Sequence, residues 1–328
     1  MSPSASARGL LAIGTVLLSA GDAAAADWKP AKPVEIVIAS SPGAGTDRTG
    51  RWIQKLLADK KLVEVPSTVV NKPGGATVVA LTYLNQHAGD GHHFLVISSP
   101  IVTSHIIGRS PFTPADVTPL AILGTEGIAF TVRADSPIRT PNDLTERLKT
   151  DSLSVGFANA LGNQNHLAIA KAVQRVGGHV KGIKAIVFNG SGDAVTALLG
   201  GHIDLSVTSG SAVLPHIVTG KLRAVVVSAD ERLGGAFSSV PTLKEAGIDA
   251  VTTNWRAAIG PKDMTETQVA YWNGVFAKLV RTPEWTEDME KLLVTNLYLD
   301  SRNTRRFLDA EYSAYSTFLT EVGLAKKP

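Results

Sequence analysis

The sequence predicts an α/β protein built on mainly parallel sheets, and three observations carry that prediction. Runs of β-branched and apolar residues alternate with helix-length amphipathic segments along the chain. The runs are Val34–Ala39, Thr68–Asn71, Phe94–Ser98, Ala121–Gly124, Ala129–Val132, Leu153–Phe157, Ile183–Phe188, Ile203–Thr208 and Leu222–Ser228. One local pattern, an apolar run, a glycine-rich turn and then a helix, occurs three times. Finally, a chain of 328 residues has room for two domains, yet no low-complexity linker or fixed-period repeat divides it. Two strands crossing between the domains are therefore expected, with Leu120–Val132 going out and Thr252–Gly260 coming back.

The first element is an export signal. Arg8 supplies the positive end, Gly9 to Ala20 the apolar stretch, and Ala23 to Ala26 small residues for cleavage. About 12 apolar residues cannot span a hydrocarbon core of about 30 Å, so removal is expected rather than anchoring. Cleavage after Ala26 would leave a mature soluble chain starting at Asp27. No cysteine is present, which excludes a lipoprotein, disulfides and thiolate chemistry.

The three repeated patterns follow. Val34 to Ala39 leads into Ser41-Pro42-Gly43-Ala44-Gly45-Thr46-Asp47 and a helix bearing Trp52, Ile53, Leu56 and Leu57. Leu153 to Phe157 leads into Asn159-Ala160-Leu161-Gly162-Asn163 and an apolar-striped segment, His166–Val176. Ile183 to Phe188 leads into Asn189-Gly190-Ser191-Gly192-Asp193 and the helix Ala194–Leu199. A fourth glycine turn, Pro73 to Ala76 beside Asn71, precedes a helical pattern over Ala76–Asn85. At the C-terminus, Thr265 with Gln268 forms a capping box, and Thr282-Pro283 gives an N-cap and N1 proline. A last helix is expected from near Ser301 to Gly323. Its aromatic residues, like those of the two helices before it, have core spacing.

Each glycine turn aims backbone N–H groups of a first helical turn at one point, where they have no partners inside the helix. The helix dipole adds positive potential there, so the turns are candidate anion cradles. The candidate ligand-binding residues are Ser41, Gly43, Ala44, Gly45 and Asp47 in the first turn and Asn189, Ser191, Gly192 and Asp193 in the opposing one. Ser98 and Ser99, and Thr208 and Ser209, end apolar runs at expected sheet edges. Asn163 and His166 open a helix: Asn163 as its cap, His166 facing either the cleft or its own domain. Asp47 either caps the helix running to Leu57 or meets a cation on the ligand. Trp255-Arg256 falls on the return crossing, where hinge packing is the expected role.

Lys and Arg number 32 against 29 Asp and Glu, a net charge of +3. With no basic run interleaved with aromatics, nucleic acid is not an expected partner. Arg48 stands where a dinucleotide fingerprint needs its third glycine, and Arg51-Trp52 replaces the Lys-Ser/Thr of a phosphate-binding loop. Catalytic motifs are lacking: there is no Gly-x-Ser-x-Gly elbow and no His-Glu-x-x-His. The adjacent His92-His93 pair is badly placed for a single metal. Neither cofactor nor metal is expected. The alternative to a binding protein is a periplasmic hydrolase acting on a carboxylic ester or amide.

A set of short motifs in a fixed order resembles the Bug family, the periplasmic solute receptors of tripartite tricarboxylate transporters. They are Lys32-Pro33-Val34-Glu35-Ile36-Val37, Pro42-Gly43-x-Gly45-x-Asp47, Asn71-Lys72-Pro73-Gly74-Gly75, Asp90-Gly91, Asn189-Gly190-Ser191-Gly192, Leu199-Gly200-Gly201-His202-Ile203-Asp204, Gly220-Lys221-Leu222-Arg223 and Val240-Pro241-Thr242-Leu243-x-Glu245-x-Gly247. The resemblance implies a two-domain binding protein of type II-like architecture, with each domain a mainly parallel sheet flanked by helices. Domain I would comprise residues 27–126 and 254–328, and domain II residues 127–253. It also implies a receptor that acts as a monomer, closes on a small carboxylate (a di- or tricarboxylate, an aromatic acid or an acidic amino acid) and delivers it to large and small permease subunits. The family holds the carboxylate largely through backbone groups, and its position matching Asp47 can meet the amino group of an amino-acid ligand. Two departures stand out. Ala44 replaces a second consecutive glycine, and Asp90-Gly91-His92-His93 replaces a usual aromatic-Thr pair with what reads as a surface detail.

Overall fold

The computed structural model describes residues 28–150, 153–158, 161–188 and 190–326. The export signal, Asn159, Ala160 and Asn189 lie outside the described residues. The first sheet has strands β1 (Val34–Ile38), β2 (Ser67–Asn71), β3 (His93–Ile97), β4 (Thr118–Glu126), β10 (Asn254–Gly260) and β11 (Val294–Thr295), in the order β11-β4-β10-β3-β1-β2. The second has β5 (Ile128–Arg133), β6 (Ser154–Ala158), β7 (Lys184–Phe188), β8 (Leu205–Ser209) and β9 (Leu222–Ser228), in the order β7-β6-β8-β5-β9.

The helices are α1 (Gly45–Asp59), α2 (Val78–Asn85), α3 (Pro100–Ile106), α4 (Pro141–Leu148), α5 (Gln164–Arg175), α6 (Ser191–Leu199), α7 (Gly210–Val218), α8 (Glu266–Leu279), α9 (Pro283–Lys291) and α10 (Ser301–Glu321). Both sheets are buried on two faces, which is why their strands read as continuous apolar runs. Val34, Ile36 and Ile38 face Leu56 of α1, Trp272 and Phe276 of α8 and Trp285 of α9. Val37, Leu95 and Ile97 face Leu81 of α2, Ile101 of α3 and Leu308 and Leu319 of α10. In the second sheet Phe130, Val155 and Val207 pack on α4 and α5, and Ala129 and Val227 on α6 and α7.

The expectation of mainly parallel sheets holds for strand direction, with one refinement that the sequence does not show. Strand β10 runs antiparallel to both β3 and β4, and β5 antiparallel to both β8 and β9. Strands β10 and β5 are the ones each sheet receives straight after a crossing; the two-residue β11 is also inverted, against β4. The chain leaves the first sheet at Glu126 and enters the second at Ile128, with only Gly127 between. It returns at Thr252, whose backbone N–H and C=O both bond the Ser228 hydroxyl (2.8 and 2.7 Å), and two residues later pairs Asn254 with Glu126.

Register then fixes where the strand ends lie. Glu126 is paired with Asn254, and Ile128 with Ser209 and Ser228. The carboxyl edges of both sheets therefore meet at the crossings. Helix α5 seals a second seam: Ala168, Ile169 and Ala172 pack on their own sheet, while Leu167 and Ala170 join the core of α3 and α10. The apolar pattern over Ala76–Asn85 is a helix only from Val78, because Ala76 and Thr77 have positive φ (51° and 80°) and break the first turn.

Candidate functional site

Among the described residues, five of the six helices that open on the carboxyl edge lack the side-chain caps that close helices elsewhere. In α1, α2, α3, α6 and α7, which follow β1, β2, β3, β7 and β8, no side chain bonds the first-turn N–H groups. Helices α4 and α8 follow the inverted strands and start at the opposite edge. Both carry complete capping boxes, Thr140 with Asp143 and Thr265 with Gln268. Uncapped first turns need acceptors from outside the helix, so the edge between the lobes is lined with unused donors.

The first turn is held open by its own carboxylate. Asp47 sits two residues inside α1, with Ala44 at the N-cap position, so it is not the cap itself. Its carboxylate accepts from Gly43 N–H (2.8 Å), Asn71 Nδ2 (2.8 Å) and Arg51 Nε (3.0 Å). Burial works against its charge, but the bonds from Arg51, Asn71 and Gly43 outweigh it and hold the carboxyl below its ordinary value. Asp47 is thus fully engaged in shaping the turn, and Asn71 ties the end of β2 to Ser40 O as well (2.9 Å). Gly43 has φ of 84° and open space around it. Ala44 has φ of −69°, ordinary for an alanine, so the missing glycine costs the turn nothing.

Ser41 accepts from Ala44 N–H across the same turn, and Gly45 begins α1. Ser98 and Ser99 join β3 to α3; the Ser99 hydroxyl is buried without a partner. In the second lobe, Asn163 caps α5 by accepting from His166 N–H (3.0 Å) and donates to Ala158 O (2.6 Å). It closes the one carboxyl-edge helix among those described that has a cap. Beside it, Gln164 Nε2 and Asn165 Oδ1 are buried without partners. Ser191, Gly192 and Asp193 form the first turn of α6, with Gly192 exposed and nothing within 4 Å of a Cβ built there. Thr208 ends β8 with a buried, unpartnered hydroxyl, and Ser209 precedes α7.

His166 packs more than it projects. Its Nδ1 accepts from Gly162 N–H (2.9 Å), which places the proton of the neutral ring on Nε2, and the ring stacks on Phe157. Burial alone drives its pKa from 6.5 down to about 4. A group depressed in the folded state stabilises fully above its unfolded pKa and loses that contribution as pH falls toward the folded one. Stability should therefore drop by about 3 kcal/mol between pH 6.5 and 4 on account of His166. Urea unfolding of wild type and His166→Gln across that range checks this: the variant's pH slope should be shallower by that amount, and parallel slopes would contradict it.

The sequence reading put Arg256 on the return crossing with a hinge-packing role but missed its buried partner, Glu126. Arg256 Nη2 lies 3.0 Å from Glu126 Oε2, both side chains being buried (11 and 4% exposed). Glu126 also accepts from the Ser209 and Ser211 hydroxyls, and Arg256 Nη1 donates to Asn254 Oδ1 (2.7 Å). The guanidinium rests on the first turn of α1, where a Cβ on Gly45 would lie 2.9 Å from Nη2. Arg48 and Thr49 of α1 line one pocket with Glu126, Ser211 and Arg256, so the two lobes meet here. The available signal was a lone acid and a lone arginine, each inside an apolar crossing run.

Comparison with known proteins places this arrangement. Residues 51–324 match the model of the tripartite tricarboxylate transporter family receptor, TctC. The chain belongs to that family. It is a receptor of the TctC type, and its length agrees with that of its relatives. The protein BugT of Bordetella pertussis is 28% identical over 328 residues, 98% of this chain and 99% of its own. Two solved structures share the fold. R. palustris Rpa4515 with adipate has a TM-score of 0.80 at 22% identity, covering 90% of this chain and 99% of that one. MatC (Rpa3494) from Rhodopseudomonas palustris with bound malate has a TM-score of 0.76 at 21% identity, covering 88% and 99%. The TctC receptor fold thus carries its uncapped helices at the meeting edge of two α/β lobes. No helix among the described residues is long and apolar enough to cross a membrane.

Proposed function

We propose that the mature chain is a periplasmic receptor that captures a small carboxylate and presents it to the large and small membrane subunits of a tripartite tricarboxylate-type permease. The observation that carries this reading is the loss of side-chain caps at five of the six described helices opening on the carboxyl edge, against complete boxes on α4 and α8. Unsatisfied N–H groups with a positive dipole behind them suit a carboxylate. Buried, unpartnered Ser99, Thr208, Gln164 and Asn165 atoms at the same edge supply polar partners for the rest of the ligand or its waters. The ligand bridges the Ser41–Asp47 turn of a first domain (27–126 and 254–328) and the 189–193 turn of a second (127–253). It is bound and released without turnover by a monomer.

Adipate and malate, the acids bound to the two structural relatives, support a dicarboxylate, and the class extends to tricarboxylates, aromatic acids and acidic amino acids. A thermal-shift panel over those acids tests it. At 100 times its Kd a ligand stabilises by about 2.7 kcal/mol, or about 4 °C in a chain of this size. Stabilisation by sugars or cationic peptides alone would refute the reading. Release of product from an ester or amide would turn it toward a hydrolase.

A further inference from the structure

At the amino-terminal ends of β1 and β3, on the far side of the first sheet from the cleft, lies a cluster the receptor reading does not use. His87, Asp90 and His93 are spaced three apart, and each offers one ligand atom within 4.8 Å of the others. The adjacent His92-His93 pair is badly placed for a single metal, but His93 lies with a histidine and an acid from the turn before it. We propose that His87, Asp90 and His93 form a three-residue Zn2+ site, with its fourth position left to water.

The geometry is prepared by the backbone. Asp90 N–H donates to His87 O (2.9 Å) and His93 N–H to Asp90 O (3.3 Å), which folds the three side chains onto one side of a tight turn. That turn is pinned from outside. Gly89 N–H donates to Lys262 O, and Gln268 Nε2 and Trp272 Nε1 donate to Gly89 O and Gly91 O (3.0 and 2.8 Å). The His87 and His93 rings stack with centroids 3.8 Å apart and planes 13° apart. Donor atoms around a tetrahedral zinc with bonds of about 2.0–2.1 Å sit roughly 3.3 Å apart, and because the in-plane lone pairs of parallel rings do not converge, one ring must swing out of the stack for both nitrogens to reach one ion.

His93 Nδ1 is buried and makes no hydrogen bond, while the Glu35 carboxylate beside it bonds the Tyr83 hydroxyl and pushes that group's pKa up. Glu35 is the register partner of His93 in the parallel β1–β3 pair, on the same face of the sheet. His92 completes a supporting layer. Its Nε2 accepts from Ala31 N–H (3.2 Å), so its Nδ1 carries the proton donated to Asp90 Oδ1. That leaves Asp90 Oδ2, 3.3 Å from His93 Nδ1, to face the metal, in the way outer hydrogen bonds orient metal-binding carboxylates. The competing cation is Lys32, 3.1 Å from Asp90 Oδ2, but its side chain is 61% exposed and free to swing into water. Two imidazoles and a carboxylate favour zinc over magnesium or calcium.

Titrating the tag-free mature chain with ZnCl2 by calorimetry tests this. One Zn2+ per chain is expected, and His87→Gln and His93→Ala should each weaken it at least about 100-fold. His92→Gln should weaken it by about 10- to 100-fold through Asp90. Should His93→Ala fail to fold, Co2+ substitution in wild type gives a variant-free reading, because a tetrahedral nitrogen–oxygen site has its own visible spectrum. Carboxylate affinity should not change in His87→Gln. No saturable zinc binding, or binding that survives His87→Gln undiminished, overturns the proposal.

Discussion

Replacing Glu126 with alanine is expected to cost about 3–5 kcal/mol of folding stability. The cost arises at Arg256, which keeps its charge while burial pulls its pKa down and Glu126 pushes it up. Without Glu126 the guanidinium would face the positive end of α1 with Arg48 as its nearest other charge, which is unfavourable on both counts. The Ser209 and Ser211 hydroxyls would also lose their shared acceptor. The pair is not expected to be worth that much in itself, since replacing both partners by apolar groups of similar volume is often neutral or better. Glu126→Ala combined with Arg256→Met should therefore recover most of the loss. Urea unfolding of the two single variants and the double decides this: a drop below about 1 kcal/mol in Glu126→Ala would show that water reaches the crossing and screens the arginine.

That ion pair also shows where sequence reasoning reaches its limit. Local features were legible because local chemistry determines them. The strand Leu222–Ser228, the capping box of Thr265 with Gln268, the Thr282-Pro283 start of α9 and the tight turn at Gly43 all appear where expected. Crossing strands were expected because no low-complexity linker divides the chain. Pairing Glu126 with Arg256 depends instead on which strands become neighbours, and the inversions of β5 and β10 leave no trace in hydrophobic periodicity. Helix α5 was expected over His166–Val176, but its residues are buried on two sides, by its own sheet and by α10, so periodicity could not assign His166 to cleft or core. The metal candidate was missed because His87 lies on a turn and His93 opens β3, so their spacing follows backbone hydrogen bonds rather than a helix face.

For the cleft itself, Gly192→Val is expected to weaken carboxylate binding by about 10- to 100-fold while leaving the apo protein's melting unchanged. A charge-assisted hydrogen bond from a backbone N–H contributes about 1.5–3 kcal/mol, and a branched side chain on the first turn of α6 keeps the ligand from reaching those donors. The apo fold should tolerate the change: Gly192 is exposed, its φ is not in the left-handed region, and a Cβ there meets nothing within 4 Å. Gly43→Val adds a second effect. Valine at φ of 84° is strained, and relaxing it would pull Gly43 N–H away from the Asp47 carboxylate it donates to at 2.8 Å. Gly43→Val should therefore lose both affinity and apo stability, the latter by about 1–3 kcal/mol. Calorimetry with the best acid from the thermal-shift panel, alongside apo melting of each variant, separates the two effects. Wild-type affinity in Gly192→Val would mean that the carboxylate never touches the first turn of α6, and that the second lobe recognises its ligand through the Thr208–Ser209 and Asn163–His166 turns instead.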